Sequence, residues 1–122
     1  MRFRRNEHAE QAALIRWANL AAARHPPLRL LFAIPNGGRR DPITGARLKA
    51  EGVKPGVPDL FLPWPMGGYH GIFIELKAPG GSPTQEQRQW IERLRAAGYR
   101  AEVCVGWRAA AEVLFGYLKG EL

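Results

Sequence analysis

The 122-residue chain is 46% hydrophobic and 24% charged, proportions that fit one globular domain over residues 1–122 and exclude a multi-domain enzyme. Its one cysteine, Cys104, excludes an intramolecular disulfide and a cysteine-rich zinc site, which implies a reducing, cytoplasmic setting. Eighteen Lys and Arg against eleven Asp and Glu give a net charge of +7, and fourteen of those cations are arginine, whose planar fork suits phosphate oxygens. The balance points to a polyanionic partner. The basic N-terminus has no apolar run behind it and does not read as a secretory signal. No stretch of about 18 apolar residues predicts a membrane span.

Apolar spacing predicts a helix over residues 7–24, with Leu14, Trp17 and Ala21 on one face and Pro26-Pro27 ending it. Residues 28–34, short and apolar between prolines, predict a strand. Residues 35–55 form a Gly- and Arg-rich connection of the length that usually carries function, with one or two helical turns over 44–51. Residues 57–62 and 71–77 predict neighbouring strands across a turn-rich stretch holding Pro63, Pro65, Gly67 and Gly68. A helix follows over 84–97, with Ser82 as N-cap, Pro83 at the first helical position, Gln85 at capping-box spacing and Gly98 closing it. A strand over 100–105, burying Cys104, and a helix over 107–118 complete the chain. The order αβββαβα implies a small α/β domain with a mixed central sheet flanked by helices.

The chemistry concentrates in two of these strands. Along Ile72-Phe73-Ile74-Glu75-Leu76-Lys77, Glu75 and Lys77 share a face with Phe73, so an acid and a base stand together at the end of an apolar strand. Burying both is costly unless something uses them. Asp59, between Gly56 and Pro58 on one side and Leu60-Phe61-Leu62 on the other, opens the preceding strand. If the two strands pair as a hairpin, Asp59 and Glu75 converge at one edge of the sheet. Two carboxylates and an ammonium suit a hard divalent cation, because Mg²⁺ takes one or two carboxylates and leaves its other positions to water and phosphate. The other arrangements fail: Gly37-Gly38-Arg39-Arg40 lacks the Gly-Lys-Ser/Thr of a phosphate-binding loop, and His8, His25 and His70 stand at no metal-ligand spacing.

Pro58-Asp59, a fifteen-residue spacer and Glu75-x-Lys77 resemble the PD-(D/E)XK nuclease superfamily. The wider pattern resembles its VRR-NUC family of small phage and bacterial nucleases. It comprises Glu7-His-Ala-Glu10-Gln11, the Ile34-Pro-Asn36-Gly-Gly-Arg loop, Gly56-Val-Pro-Asp59, Phe73-Ile-Glu75-Leu-Lys77-Ala-Pro-Gly-Gly and Gln87-x-x-Trp90-Ile. The resemblance implies a restriction-endonuclease-like fold and a Mg²⁺- or Mn²⁺-dependent endonuclease. In it Asp59 and Glu75 are metal ligands, the main-chain carbonyl of Leu76 is a further one, and Lys77 polarises water or steadies charge on phosphate. It also implies a metal-linked Glu on the first helix. At about 100° per residue Glu10 lies amid the Leu14, Trp17 and Ala21 stripe and is favoured, with Glu7, at the stripe's margin, as the competing candidate. Gln87 is placed near the active site by the same likeness.

For DNA contacts the sequence offers Arg4, Arg5, Asn36, Arg39, Arg40, Arg47, Lys49 and Lys54. Stand-alone proteins of this kind are similar to Holliday-junction resolvases, which implies a homodimer acting on four-way junctions in a bacterial host or its phage. A flap or nicking nuclease, and a non-catalytic DNA-binding module, are the alternatives.

Overall fold

The computed structural model describes residues 6–35 and 42–121. Helix α1, Glu7–Ala21, is opened by Asn6, whose side chain accepts the Ala9 N–H at 2.8 Å. The strand expected over 28–34 is largely absent. Its first residues belong to a 3-10 helix, Pro26–Leu30, and only Phe32–Ala33 pair as strand β1. The tandem prolines explain the difference, because each fixes φ near a helical value and removes a donor that a sheet ladder needs. The long connection contains a further helix, α2, Pro42–Ala50, which adds an element to the predicted order and buries none of its residues.

Strands β2, Leu60–Leu62, and β3, Ile72–Lys77, pair antiparallel; β4, Arg100–Val105, runs parallel to β3. Helix α3, Gln85–Ala96, makes the crossover that a parallel pair requires. Helix α4, Trp107–Leu118, follows β4 directly. The described strands form one mixed sheet in the order β1-β2-β3-β4. Leu60, Leu62, Ile72, Ile74, Leu76 and Cys104 join Leu14, Ala18, Ala110, Leu114 and Tyr117 in one buried core. That core fixes the sheet's inner face. The alternate residues of β3 therefore point the other way, where Phe73 stacks on Phe61 at 4.1 Å.

The expected cap of α3 needs correction. Thr84, not Ser82, is the N-cap: its hydroxyl accepts the Gln87 N–H at 3.2 Å, while Gln87 Oε1 accepts the Thr84 N–H at 2.9 Å. This reciprocal box satisfies two amides, and the Thr-x-x-Gln spacing that specifies it was present in the sequence. Thr84→Ala should therefore destabilise the protein by about 1 kcal/mol, lowering Tm by roughly 4 °C. Ser82→Ala should leave the melt in place. Equal shifts in the two variants would return the cap to Ser82.

Candidate active site

The register of the β2–β3 hairpin pairs Leu60 with Ile74, so the next step outward sets Asp59 opposite Glu75. The hairpin expected from sequence thus forms. Asp59 is locked there by two bonds: its Oδ2 accepts the Leu76 N–H at 2.8 Å, and its carbonyl accepts the Ile34 N–H at 2.7 Å. Lys77, two residues beyond Glu75 on the same face, brings its Nζ to 3.6 Å from Glu75 Oε2. Both side chains are buried, Glu75 to 1% exposure and Lys77 to 6%.

Glu75 is the unusual member. Both its oxygens are buried, and neither has a hydrogen-bond partner among the described residues. Burial, then the nearby Asp59 charge, push its carboxyl up to about 8, against the opposing pull of Lys77. A proton on Glu75 would give it a donor to share with the Asp59 carboxylate. A buried carboxylate without donors leaves desolvation uncompensated, and a cation beside it supplies the missing partner. The donor set of Asp59 and Glu75 is all oxygen, which suits Mg²⁺ or Mn²⁺. The described residues hold no ready-made cluster of three or more His, Cys, Asp or Glu around a metal position.

The first helix divides its two acids. Glu10 turns inward as its place on the stripe implied and is 2% exposed, with Oε1 accepting the Trp107 N–H at 2.9 Å. Glu7 is half-exposed, and its Oε2 lies 3.6 Å from Lys77 Nζ. Lys77 is thus flanked by Glu7 and Glu75 at equal distance. Periodicity identified the buried glutamate correctly and could not reveal that the marginal one reaches the lysine. Gln87 is half-buried, and its side-chain oxygen serves the α3 cap.

Residues 6–107 match the VRR-NUC domain. The chain belongs to the VRR-NUC family. A solved structure titled "VRR_NUC domain protein" aligns with a TM-score of 0.79 at 29% identity, covering 96% of this chain and 91% of its own. No curated protein matched the chain. VRR-NUC domains are PD-(D/E)XK nucleases, and in this chain Pro58-Asp59 and Glu75-Leu76-Lys77 come together on one hairpin. A nuclease of this family acts on DNA.

The basic residues of this VRR-NUC domain fall partly within view. Arg47 and Lys49 on α2, and Lys54 beyond it, are exposed. Arg4, Arg5, Asn36, Arg39 and Arg40 lie outside the described residues. The connection bearing Asn36, Arg39, Arg40, Arg47, Lys49 and Lys54 leaves β1 by way of Ile34, whose N–H is bonded to the Asp59 carbonyl, and leads back to β2. Ile34, Pro35, Glu51, Gly52, Val53, Lys54 and Val57 line a cleft of about 360 Å³ at its base. Sequence reasoning missed the Trp107 backbone as a partner for Glu10. The available signal was Gly106, an N-cap without a side chain, which leaves the first amides of α4 in need of an outside acceptor.

The raised Glu75 pKa fixes a pH dependence. Between pH 4.5 and about 8 the folded protein keeps a proton that the unfolded chain has released. Stability from this group is therefore fully present below 4.5 and lost as pH rises to about 8. Without divalent ions, Tm should fall across that window, and Glu75→Gln should flatten the fall. A slope unchanged in the variant would assign it to another group.

Proposed function

We propose that this VRR-NUC domain is a Mg²⁺- or Mn²⁺-dependent endodeoxyribonuclease. The observation that carries the reading is the buried carboxylate of Glu75, without a donor, between Asp59 and Lys77. Asp59, Glu75 and the main-chain carbonyl of Leu76 would hold the ion; as the third acid we take Glu7, the competing candidate, in place of the favoured Glu10, because Glu7 lies beside Lys77 while Glu10 is bonded to the Trp107 N–H. Such an ion supplies a Lewis acid and a water of lowered pKa.

The chain's own groups do the rest. The Asp59 side chain is held in place by the Leu76 amide, so it needs no reorganisation when substrate arrives. The Lys77 ammonium, dry and without acceptor capacity, donates to the attacking oxygen or to the non-bridging phosphate oxygens as their charge grows. Water adds to phosphorus and the bond to the 3′ oxygen breaks, leaving a 5′-phosphate and a 3′-hydroxyl. Arg47, Lys49 and Lys54, with Arg4, Arg5, Asn36, Arg39 and Arg40, contact the DNA backbone. The substrate proposed is the four-way junction and the acting species a homodimer. A junction needs two symmetry-related incisions, and a two-fold dimer is the commonest assembly that supplies them.

Cleavage of junction, flap, linear duplex and single strand, with and without Mg²⁺, tests the reading. Lys77→Ala should lower the junction rate by roughly 100- to 1000-fold while Mn²⁺ still binds, because an ammonium offers a cation no lone pair. Asp59→Ala should lose both cleavage and Mn²⁺ binding. Parent-like Mn²⁺ affinity in Asp59→Ala would remove Asp59 from the ligand set, and faster cleavage of a flap would replace the junction as substrate.

Affinity should also depend steeply on salt. Log affinity falls by about 0.9 per log unit of salt for each phosphate contact. Replacing Arg47 and Lys49 by alanine should flatten the slope by roughly one to two units. An unchanged slope would leave α2 away from the DNA.

A further inference from the structure

The corner between β4 and α4 binds two different parts of the site with two consecutive amides. Gly106 donates its N–H to the Lys77 carbonyl at 2.8 Å, and Trp107 donates its own to Glu10 Oε1 at 2.9 Å. The corner is sharp because Gly106 has φ 83°, a conformation that favours glycine. Lacking a side chain, Gly106 cannot cap α4, and the Glu10 carboxylate does so from 97 residues away. A carboxylate at a helix N-terminus is well placed electrostatically, and this one is almost completely buried.

Glu10 is also one turn beyond Glu7. The turn that both occupy carries the Asn6 cap bond to Ala9 at its outer end and the Glu10 bond to Trp107 at its inner end. Whatever fixes Glu10 therefore fixes the backbone from which Glu7 reaches Lys77. The same corner fixes the main chain of Lys77 itself. Glu7, Lys77 and the first turn of α4 are thus registered against one another through adjacent peptide groups.

We propose that Glu10 is a positioning residue: by accepting the Trp107 N–H it holds the first turn of α1 so that Glu7 stays opposite Lys77. It is not itself a ligand of the catalytic ion. The inference rests on Asp59, Glu75 and Lys77 being the catalytic set. The role asks only for an acceptor oxygen at this place. A glutamine supplies one, whereas a metal ligand asks for the charge.

The experiment uses the full chain and compares Glu10→Gln, Glu10→Ala, Glu7→Gln and the double variant Glu7→Gln/Glu10→Ala. Cleavage kinetics, Mn²⁺ titration and thermal melts are measured on each. Glu10→Ala should lower kcat by roughly 10- to 100-fold, the usual effect of losing a group that orients an active site, with KM for DNA little changed. Glu10→Gln should recover most of that loss and bind Mn²⁺ as the parent does. In the Glu7→Gln background, removing Glu10 should cost little more, because the group it positions is already gone. A purely structural role would instead multiply the two losses, and that result would overturn the proposal. So would a Glu10→Gln protein that folds like the parent yet neither cleaves nor binds Mn²⁺. If Glu10→Ala fails to fold, Glu10→Gln alone and combined with Glu7→Gln still decides between acceptor and ligand. Full cleavage in Asp59→Ala would instead condemn the underlying assignment of the catalytic set, independently of Glu10.

Discussion

A carboxylate has been taken out of water at Glu75 and given no hydrogen-bond donor among the described residues. Isolated ionised groups in such surroundings are strongly unfavourable, and proteins meet the cost with a partner charge, a proton or a metal. This site holds the first in Lys77 and the second through a carboxyl raised to about 8. Asp59 works against ionisation, yet it is tied to the Leu76 amide and cannot swing away. The repulsion is therefore built in. It costs stability in the metal-free protein, and the hydrophobic core behind β3 is what tolerates it.

The strands that bear the site were legible because their apolar residues leave few choices. Residues 100–105 and 107–118 coincide with β4 and α4, and β3 differs from its predicted span by one residue. Where the reading failed, a local signal had been outweighed or a distant one was invisible. Leucines and isoleucine over 28–34 suggested a strand, but the preceding prolines favoured the tighter turn. Ser82 before Pro83 looked like a cap, yet Thr84 with Gln87 makes two bonds where Ser82 offers one. The first-helix acids were a different kind of problem. Periodicity reports which side chain is buried, and it located Glu10 correctly; it is silent on what a carboxylate meets, and the Trp107 amide lies 97 residues away.

Charge is distributed against the overall balance. The chain carries +7, yet at the described heart of the site Glu7 and Glu75 flank one lysine and Asp59 adds its charge beside Glu75. Exposed Arg47, Lys49 and Lys54 sit instead on the connection that begins beside Asp59 and returns to it. A polyanion is thus attracted by the periphery and repelled by the centre.

That opposition bears directly on the proposed need for a cation. Once Glu75 is ionised, three carboxylates against one ammonium leave a local charge that a phosphodiester, itself negative, would meet at close range in a poorly hydrated place, where Coulomb interactions are strong. Exposed Arg47, Lys49 and Lys54 are screened by salt and offset it only weakly. The offset has to be made within the site. The proton that Glu75 keeps below about pH 8 reduces the repulsion, but it also takes the charge from a would-be oxygen ligand and leaves Lys77 paired with Glu7 alone. A divalent ion removes the same repulsion while keeping both carboxylates ionised, so the feature that destabilises the metal-free protein is the one that would give the ion its affinity.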